Sequence, residues 1–268
     1  MNFVISDLHN DMLTTMDSSE YARYLHGIKE YAAPVLAVWT TRLDVKRGFL
    51  KKLADAVPKE FARFALEDAH FLGEGPLEQL GEIPLLYVGL TWNDDNTLAG
   101  GAKSGTQMGL TERGKTVIRE AERHGIALDV AHLNRRSFFE LMDYAHGKTL
   151  CSHCCFDAVY SHPRNLTDEQ IELLVLRGGI VGMTFESSFL TGLKAKISDV
   201  VRHIDHFVQK FGCDSLAIGS DFNGCAPPDE LCDYPSIFGL AYELEKLGYD
   251  QSDIRKIFET NAQNFFAV

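Results

Sequence analysis

The sequence predicts an α/β protein built as a (β/α)8 barrel of the TIM type, and three observations carry that expectation. Eight short β-rich apolar runs recur along 268 residues, segments of helical period lie between them, and polar residues close nearly every run. The run ends are spaced by very roughly 30 residues, the size of a βα unit, and eight such units close into a barrel rather than leave an open sheet.

The runs are residues 3–8, 35–41, 61–66, 85–91, 126–131, 149–152, 180–185 and 216–220, with the weakest patterns at 35–41 and 149–152. Among the intervening helices the clearest start is Leu166-Thr167-Asp168-Glu169-Gln170. Thr167 can cap, Gln170 can reach back to it, and Ile171, Leu174 and Val175 share one face before Gly178 ends the helix. Residues 111–124 give a second amphipathic helix, with Val117, Ala121 and His124 at helical spacing and Gly125 as its stop. Helices at 200–211 and 252–260 follow the same logic, and the Gly-rich stretch 98–109 reads as a long loop. No low-complexity linker interrupts the chain, so residues 1–268 are expected to form a single domain.

Hydrophobic residues make up 45% and charged residues 24%, ordinary globular usage. A formal charge of -12, with no Lys/Arg cluster to offset it, argues against a nucleic-acid or anionic-membrane partner and favours a small molecule. The opening Met1-Asn2-Phe3-Val4-Ile5-Ser6-Asp7 lacks the basic flank and apolar core of a signal peptide, and no run is long enough to span a bilayer, which gives a cytoplasmic expectation. Six cysteines, three of them in Cys151-Ser152-His153-Cys154-Cys155, fit free thiols in a reducing compartment better than a disulfide scaffold. A homodimer is a possible assembly.

Barrel chemistry sits at the carboxyl ends of strands, so the residues that close each run are the candidates. His9 and Asp11 follow the first run, Glu67 the third, Trp92 and Asn93 the fourth, His132 the fifth, His153 the sixth and Asp221 the eighth. On an extended chain residues i and i+2 point to one side, so His9 and Asp11 can grip one ion together. An isolated His-x-Asp is usually structural or solvated. Three histidines and two carboxylates closing different runs rarely arise from core packing, because buried charge is costly unless paired or metal-bound. A zinc knuckle around Cys151, Cys154 and Cys155 lacks a second Cys/His pair at a suitable spacing. His162, His203 and His206 read as surface or helix residues, and Asp229-Glu230 as a solvated face.

Taken in order, Asp7-Leu8-His9-Asn10-Asp11, Leu90-Thr91-Trp92-Asn93 with Asn96, Gly109-Leu110-Thr111 with Gly114, Asp129-Val130-Ala131-His132, Ser152-His153, His162-Pro163-Arg164-Asn165-Leu166 and Gly219-Ser220-Asp221-Phe222-Asn223-Gly224 cover nearly the whole chain. Together they resemble the renal, or membrane, dipeptidase family of binuclear zinc peptidases, within the metal-dependent hydrolase barrels. The resemblance implies that His9 and Asp11 bind one metal, that His132 and His153 bind the other, and that Glu67 bridges both. It also implies that Arg164 receives the substrate carboxylate and that Asp221 is the acid near the substrate amino group.

The chain departs from the family pattern at three places. Glu67-Asp68 stands where relatives read Glu-Gly, Trp92 stands where mammalian-type members carry a histidine, and Glu186 stands where relatives often have tyrosine. The cofactors expected are two divalent ions, zinc by the resemblance. The reaction expected is hydrolysis of a dipeptide or dipeptide-like amide by a bridging hydroxide, since two ions about 3.5–4 Å apart lower the pKa of a bound water and polarise a carbonyl. Arg164, Trp92, Asn93 and Glu186 are the expected substrate-binding residues, with Asp221 and Glu67 as the catalytic pair. Two alternatives stand beside this: hydrolysis of another small amide such as an acyl amino acid or lactam, and a metal-binding homologue whose catalysis was lost with the histidine at Trp92.

Overall fold

The computed structural model describes residues 3–40 and 48–267; Thr41, the last residue of the second expected strand, lies outside them, as do Met1 and Asn2. In chain order the elements are α1 (Met12–Thr15), α2 (Tyr21–Ile28), β1 (Leu36–Trp39), α3 (Phe49–Asp55), β2 (Phe64–Glu67), β3 (Leu85–Gly89), α4 (Glu112–Arg123), β4 (Ala127–Asp129), α5 (Arg135–Tyr144), β5 (Thr149–Cys154), α6 (Asp168–Leu176), β6 (Ile180–Met183), α7 (Ser187–Leu190), α8 (Ile197–Phe211), β7 (Leu216–Ile218), α9 (Tyr234–Lys246), α10 (Gln251–Arg255) and α11 (Asn261–Phe266). The strands form a parallel sheet in strictly sequential order, β1 to β7. Parallel neighbours joined through helices are the α/β order of the TIM-type barrel class.

Seven strands appear among the described residues where the sequence predicts eight. The first expected strand, residues 3–8, is present only as isolated parallel bridges, Ile5 to Ala32 and Asp7 to Ile218. Its backbone divides its hydrogen bonds between partners: the Ile5 N–H donates to Tyr31 O at 2.8 Å and the Leu8 N–H to Ile218 O at 2.9 Å. Neither ladder is long enough to make a continuous strand. Other limits shift as well. A 3-10 turn over Lys59–Phe61 takes the start of the third run, so β2 begins at Phe64 and Glu67 is its last residue. The sixth run continues to Cys154, which puts His153 inside β5 rather than after it. The helix expected at 252–260 continues from α10 through a π turn at Lys256–Thr260 into α11.

The described residues divide into two compact units. The first takes Met1–Asn10, Arg23–Pro34 and Cys151–Val268. In it the α6 start is the expected capping box, with the Gln170 N–H donating to Thr167 Oγ1 at 3.4 Å and the Thr167 N–H to Gln170 Oε1 at 3.0 Å. Ile171 and Leu174 are buried and Val175 half-buried, while Gly178 takes φ 72° to end the helix. α8 buries Val200, His203, Ile204 and Phe207, and Phe207 packs on Phe156 with ring centroids 5.2 Å apart. β5, β6 and β7 approach closely through glycine: a Cβ on either Gly182 or Gly219 would lie 1.9 Å from the Ser152 carbonyl oxygen.

The second unit takes Asp11–Ala22 and Val35–Leu150. Leu66, Val88 and Leu128 of its parallel strands are fully buried, and α4 packs beside β4 with Val117, Ile118 and Ala121 buried, as its periodicity requires. Thr111 caps α4 and Asn134 caps α5, each accepting from a backbone N–H three residues on.

Candidate metal centre

Each unit carries its own group of buried polar side chains. In the first, His9 follows the bridged segment, His153 lies in β5 and Asp221 follows β7. One ligand atom from each of the three lies within 4.8 Å of the others, and all three residues are buried. The rings of His9 and His153 are tilted by 39° to each other, with centroids 4.0 Å apart. Two imidazoles and a carboxylate held at this spacing make a borderline-soft donor set, the kind that holds zinc and related divalent ions.

The neighbours fix the protonation of the ring. Arg164, from the loop after β5, is 3% exposed, and its Nη2 donates to His153 Nε2 at 2.8 Å. A guanidinium can only donate, so Nε2 holds the lone pair and Nδ1–H donates to Ser152 Oγ at 2.8 Å. That tautomer leaves Nε2 as the ligand atom. The Arg164 side chain also lies over the Phe189 ring, 5.3 Å from its centroid, and its buried Nε–H finds no hydrogen-bond acceptor.

Beneath these groups runs a polar network centred on Asp7. Its carboxylate accepts from the Ser220 N–H at 2.8 Å, Ser220 Oγ at 2.6 Å, Tyr234 Oη at 2.6 Å and the His9 N–H at 3.2 Å. Burial pushes the Asp7 carboxyl above its ordinary range, and hydrogen bonds from Ser220, Tyr234 and His9 pull it back. The network ties the His9 segment to the end of β7. Sequence reasoning missed it, although Asp7 stands two residues before His9 in the same alternation that marks His9 and Asp11.

In the second unit Glu67 ends β2 and His132 follows β4. His132 Nε2 lies 2.6 Å from Glu67 Oε1, with both side chains buried. Asn93 Oδ1 sits 3.1 Å from His132 Nδ1; with that oxygen as the acceptor, the ring proton is on Nδ1 and Nε2 faces the carboxylate through its lone pair. Two lone pairs at this distance call for a cation, a proton or a metal ion. Trp92 packs between Trp39 and His132, with centroids 4.8 Å and 6.0 Å away. Asp11, 5% exposed, precedes α1, and its carbonyl accepts from the Thr14 and Thr15 N–H groups.

Backbone strain marks the same places. The non-glycine residues at positive φ among those described are Asp68, His132, Asp221 and Asn223, at 63°, 68°, 61° and 69°. Such conformations persist where the surroundings over-determine them, commonly at functional sites.

The other candidates have partners of their own. Glu186 caps α7: Oε1 accepts from the Ser188 N–H at 3.0 Å and Oε2 from the Ala226 N–H at 2.8 Å, so its carboxylate is committed to backbone. Cys151, Cys154 and Cys155 are buried free thiols, and no donor group found among the described residues includes a cysteine. His203 lies on a helix, as expected, yet is fully buried.

Strand order and donor chemistry together describe an α/β protein with buried side-chain groups able to hold a metal ion. Residues 52–267 match the family model of the membrane dipeptidases, peptidase family M19, and the chain belongs to that family of metal-dependent dipeptidases. A Klebsiella pneumoniae protein from the pqqA 5′ region is 32% identical over 211 residues, covering 72% of this chain and 78% of that protein. A Schizosaccharomyces pombe protein named as a dipeptidase is 31% identical over 155 residues, covering 55% of this chain, and the chain spans only 37% of its length. A metallopeptidase from Rhodobacter sphaeroides, solved with a phosphinate mimic of the dipeptide L-Ala-D-Ala, superposes with a TM-score of 0.85 over 99% of both chains at 20% identity, a likeness of fold. Among the described residues no helix is long and apolar enough to cross a membrane.

Proposed function

We propose that this chain hydrolyses the amide bond of dipeptides or dipeptide-like substrates with two divalent ions, zinc by the family resemblance. In this reading His9 and Asp11 hold one ion, His132 and His153 hold the other, and Glu67 is shared. The observation that carries it is Arg164: a buried guanidinium beside the His9, His153 and Asp221 donors, with an Nε–H that meets no acceptor. A buried cation with an open donor calls for an anion, and the planar fork suits a carboxylate. The dipeptide mimic held by the Rhodobacter sphaeroides relative supports a peptide carboxylate as that anion.

Bound ions supply an activated water and a polarised carbonyl. The chain's own residues do the rest. His153 Nε2, which accepts from Arg164 in this structure, would offer that same lone pair to an ion, and the Arg164 guanidinium would then be free to grip the substrate's terminal carboxylate. Asp221 handles a proton or the substrate amine. Asn93 holds His132 in the tautomer that offers Nε2, and Trp92 walls the ring. Glu186, occupied with two backbone amides, shapes the Ala226 loop beside the substrate.

The test joins metal analysis to a substrate comparison. Purified, zinc-repleted protein is expected to hold two equivalents of metal, and less than one overturns the binuclear reading. Dipeptides with a free carboxyl terminus are expected to be cleaved and their amides poorly. Arg164→Lys is expected to raise KM for dipeptides by about tenfold or more, because an ammonium does not reproduce the fork. Equal cleavage of acid and amide removes Arg164 from this role, and negligible turnover by the fully loaded protein favours the homologue without catalysis.

A further inference from the structure

Asp68 adopts φ 63°, a left-handed conformation natural to glycine, although it follows the Glu67 that ends β2. Its side chain accounts for this. Asp68 is 4% exposed; its Oδ1 accepts from Asn96 Nδ2 at 3.0 Å and from the His70 N–H at 3.1 Å, while Oδ2 lies 3.5 Å from His70 Nδ1. Its carbonyl accepts from Thr40 Oγ1. Asn96 is itself fixed: Nδ2 also donates to Leu90 O at 2.8 Å, and Oδ1 accepts from the Leu98 N–H at 2.7 Å and the Ala99 N–H at 3.2 Å. The Asp68 carboxylate therefore ties the end of β2 to the loop after β3, which carries Trp92 and Asn93. Asn93 holds His132, and His132 faces Glu67 at 2.6 Å, so the tie returns to the residue next to Asp68.

We propose that Asp68 is a positioning residue: through the Asn96 brace it holds Glu67 in the orientation that meets His132, and thereby sets the affinity for the ion that those two share. The proposal rests on the metal-ligand reading above. Glycine at this position keeps the backbone conformation and removes the brace, whereas asparagine keeps the acceptor oxygen and also tolerates left-handed φ. Those two substitutions separate backbone from side chain.

The experiment is zinc titration of metal-free protein against a competing chelator, with the thermal midpoint of the metal-free form and steady-state kinetics on a dipeptide, for wild type, Asp68→Gly, Asp68→Asn and Asn96→Ala. Asp68→Gly is expected to keep or raise the metal-free midpoint, to weaken one of two zinc sites by about 10–100-fold, and to lower kcat with KM little changed. Asp68→Asn is expected to stay within about threefold of wild type, since its Oδ1 accepts the same two hydrogen bonds. Asn96→Ala cuts the brace from its other end without touching Asp68 φ, and is expected to weaken the same site should the glycine variant fail to fold. Wild-type affinity for both zinc ions in Asp68→Gly, or in Asn96→Ala, overturns the proposal, and so does an asparagine variant as weak as the glycine one. Wild-type protein that takes up no zinc overturns the binuclear reading itself, a result distinguishable from the variants' behaviour.

Discussion

His203 shows how one side chain outside the donor groups can set a pH response. Its Nδ1 accepts from the Phe156 N–H at 3.1 Å and its Nε2–H faces Leu190 O at 3.2 Å, so both ring nitrogens are used by the neutral form. Burial pushes its pKa down from an ordinary 6.5 to about 4. The unfolded chain therefore binds the proton more readily than the folded one between those values. Stability is fully present above pH 6.5 and falls as pH drops toward 4, by at most about 3–4 kcal/mol, the shift multiplied by about 1.4 kcal/mol per unit. His203→Gln supplies a donor and an acceptor without titrating. Urea unfolding from pH 7.5 to 4 is expected to show a shallower loss in the variant, and identical slopes remove His203 from that account.

At the scale of elements, the close approach of β5, β6 and β7 leaves no room for a side chain at two positions. A Cβ on Gly182 would meet the Ser152 carbonyl oxygen at 1.9 Å and lies near the Gly219 Cα at 3.2 Å, so the obstacle is backbone on both sides. Gly182→Ala must move β5, and Ser152 is the residue whose hydroxyl faces His153 Nδ1. The expected result is a stability loss of about 1–3 kcal/mol, the usual range for overpacking, with weakened zinc binding at His153. A variant with wild-type stability shows that the strands shift at no cost. By contrast, Gly125 and Gly178, both with φ near 70°, end helices in open space, and an alanine there strains only the backbone.

For the whole molecule, the order in which the chain visits its two units bears on cooperativity. The first unit is assembled from three separate segments and the second from two, so neither can be cut out as one continuous piece. We propose that residues 1–268 unfold as a single domain. The protein has two tryptophans, Trp39 and Trp92, and both belong to the second unit, whereas far-ultraviolet dichroism reports helices of both. Denaturant unfolding of the metal-free protein is expected to give coincident midpoints by fluorescence and dichroism. Resolved transitions break the single-domain reading.

The sequence by itself determined the parallel α/β order, the capping box at Thr167 and Gln170, and the glycine stops, and it named most of the candidate donor residues, because each rests on local periodicity or on a residue type at a strand end. It misjudged strand limits: residues 3–8 pair with two different partners, and a run of apolar residues does not say how its hydrogen bonds are divided. Only the tertiary structure decided the protonation of His153, which follows from the guanidinium of Arg164 reaching its Nε2 from 11 positions along the chain. It alone assigned the Asp7 carboxylate to Ser220, 213 positions away, and Asp68 to Asn96, 28 positions away. Hydrogen bonds between residues so separated depend on where the backbone has been carried, and no local pattern of residue types encodes that.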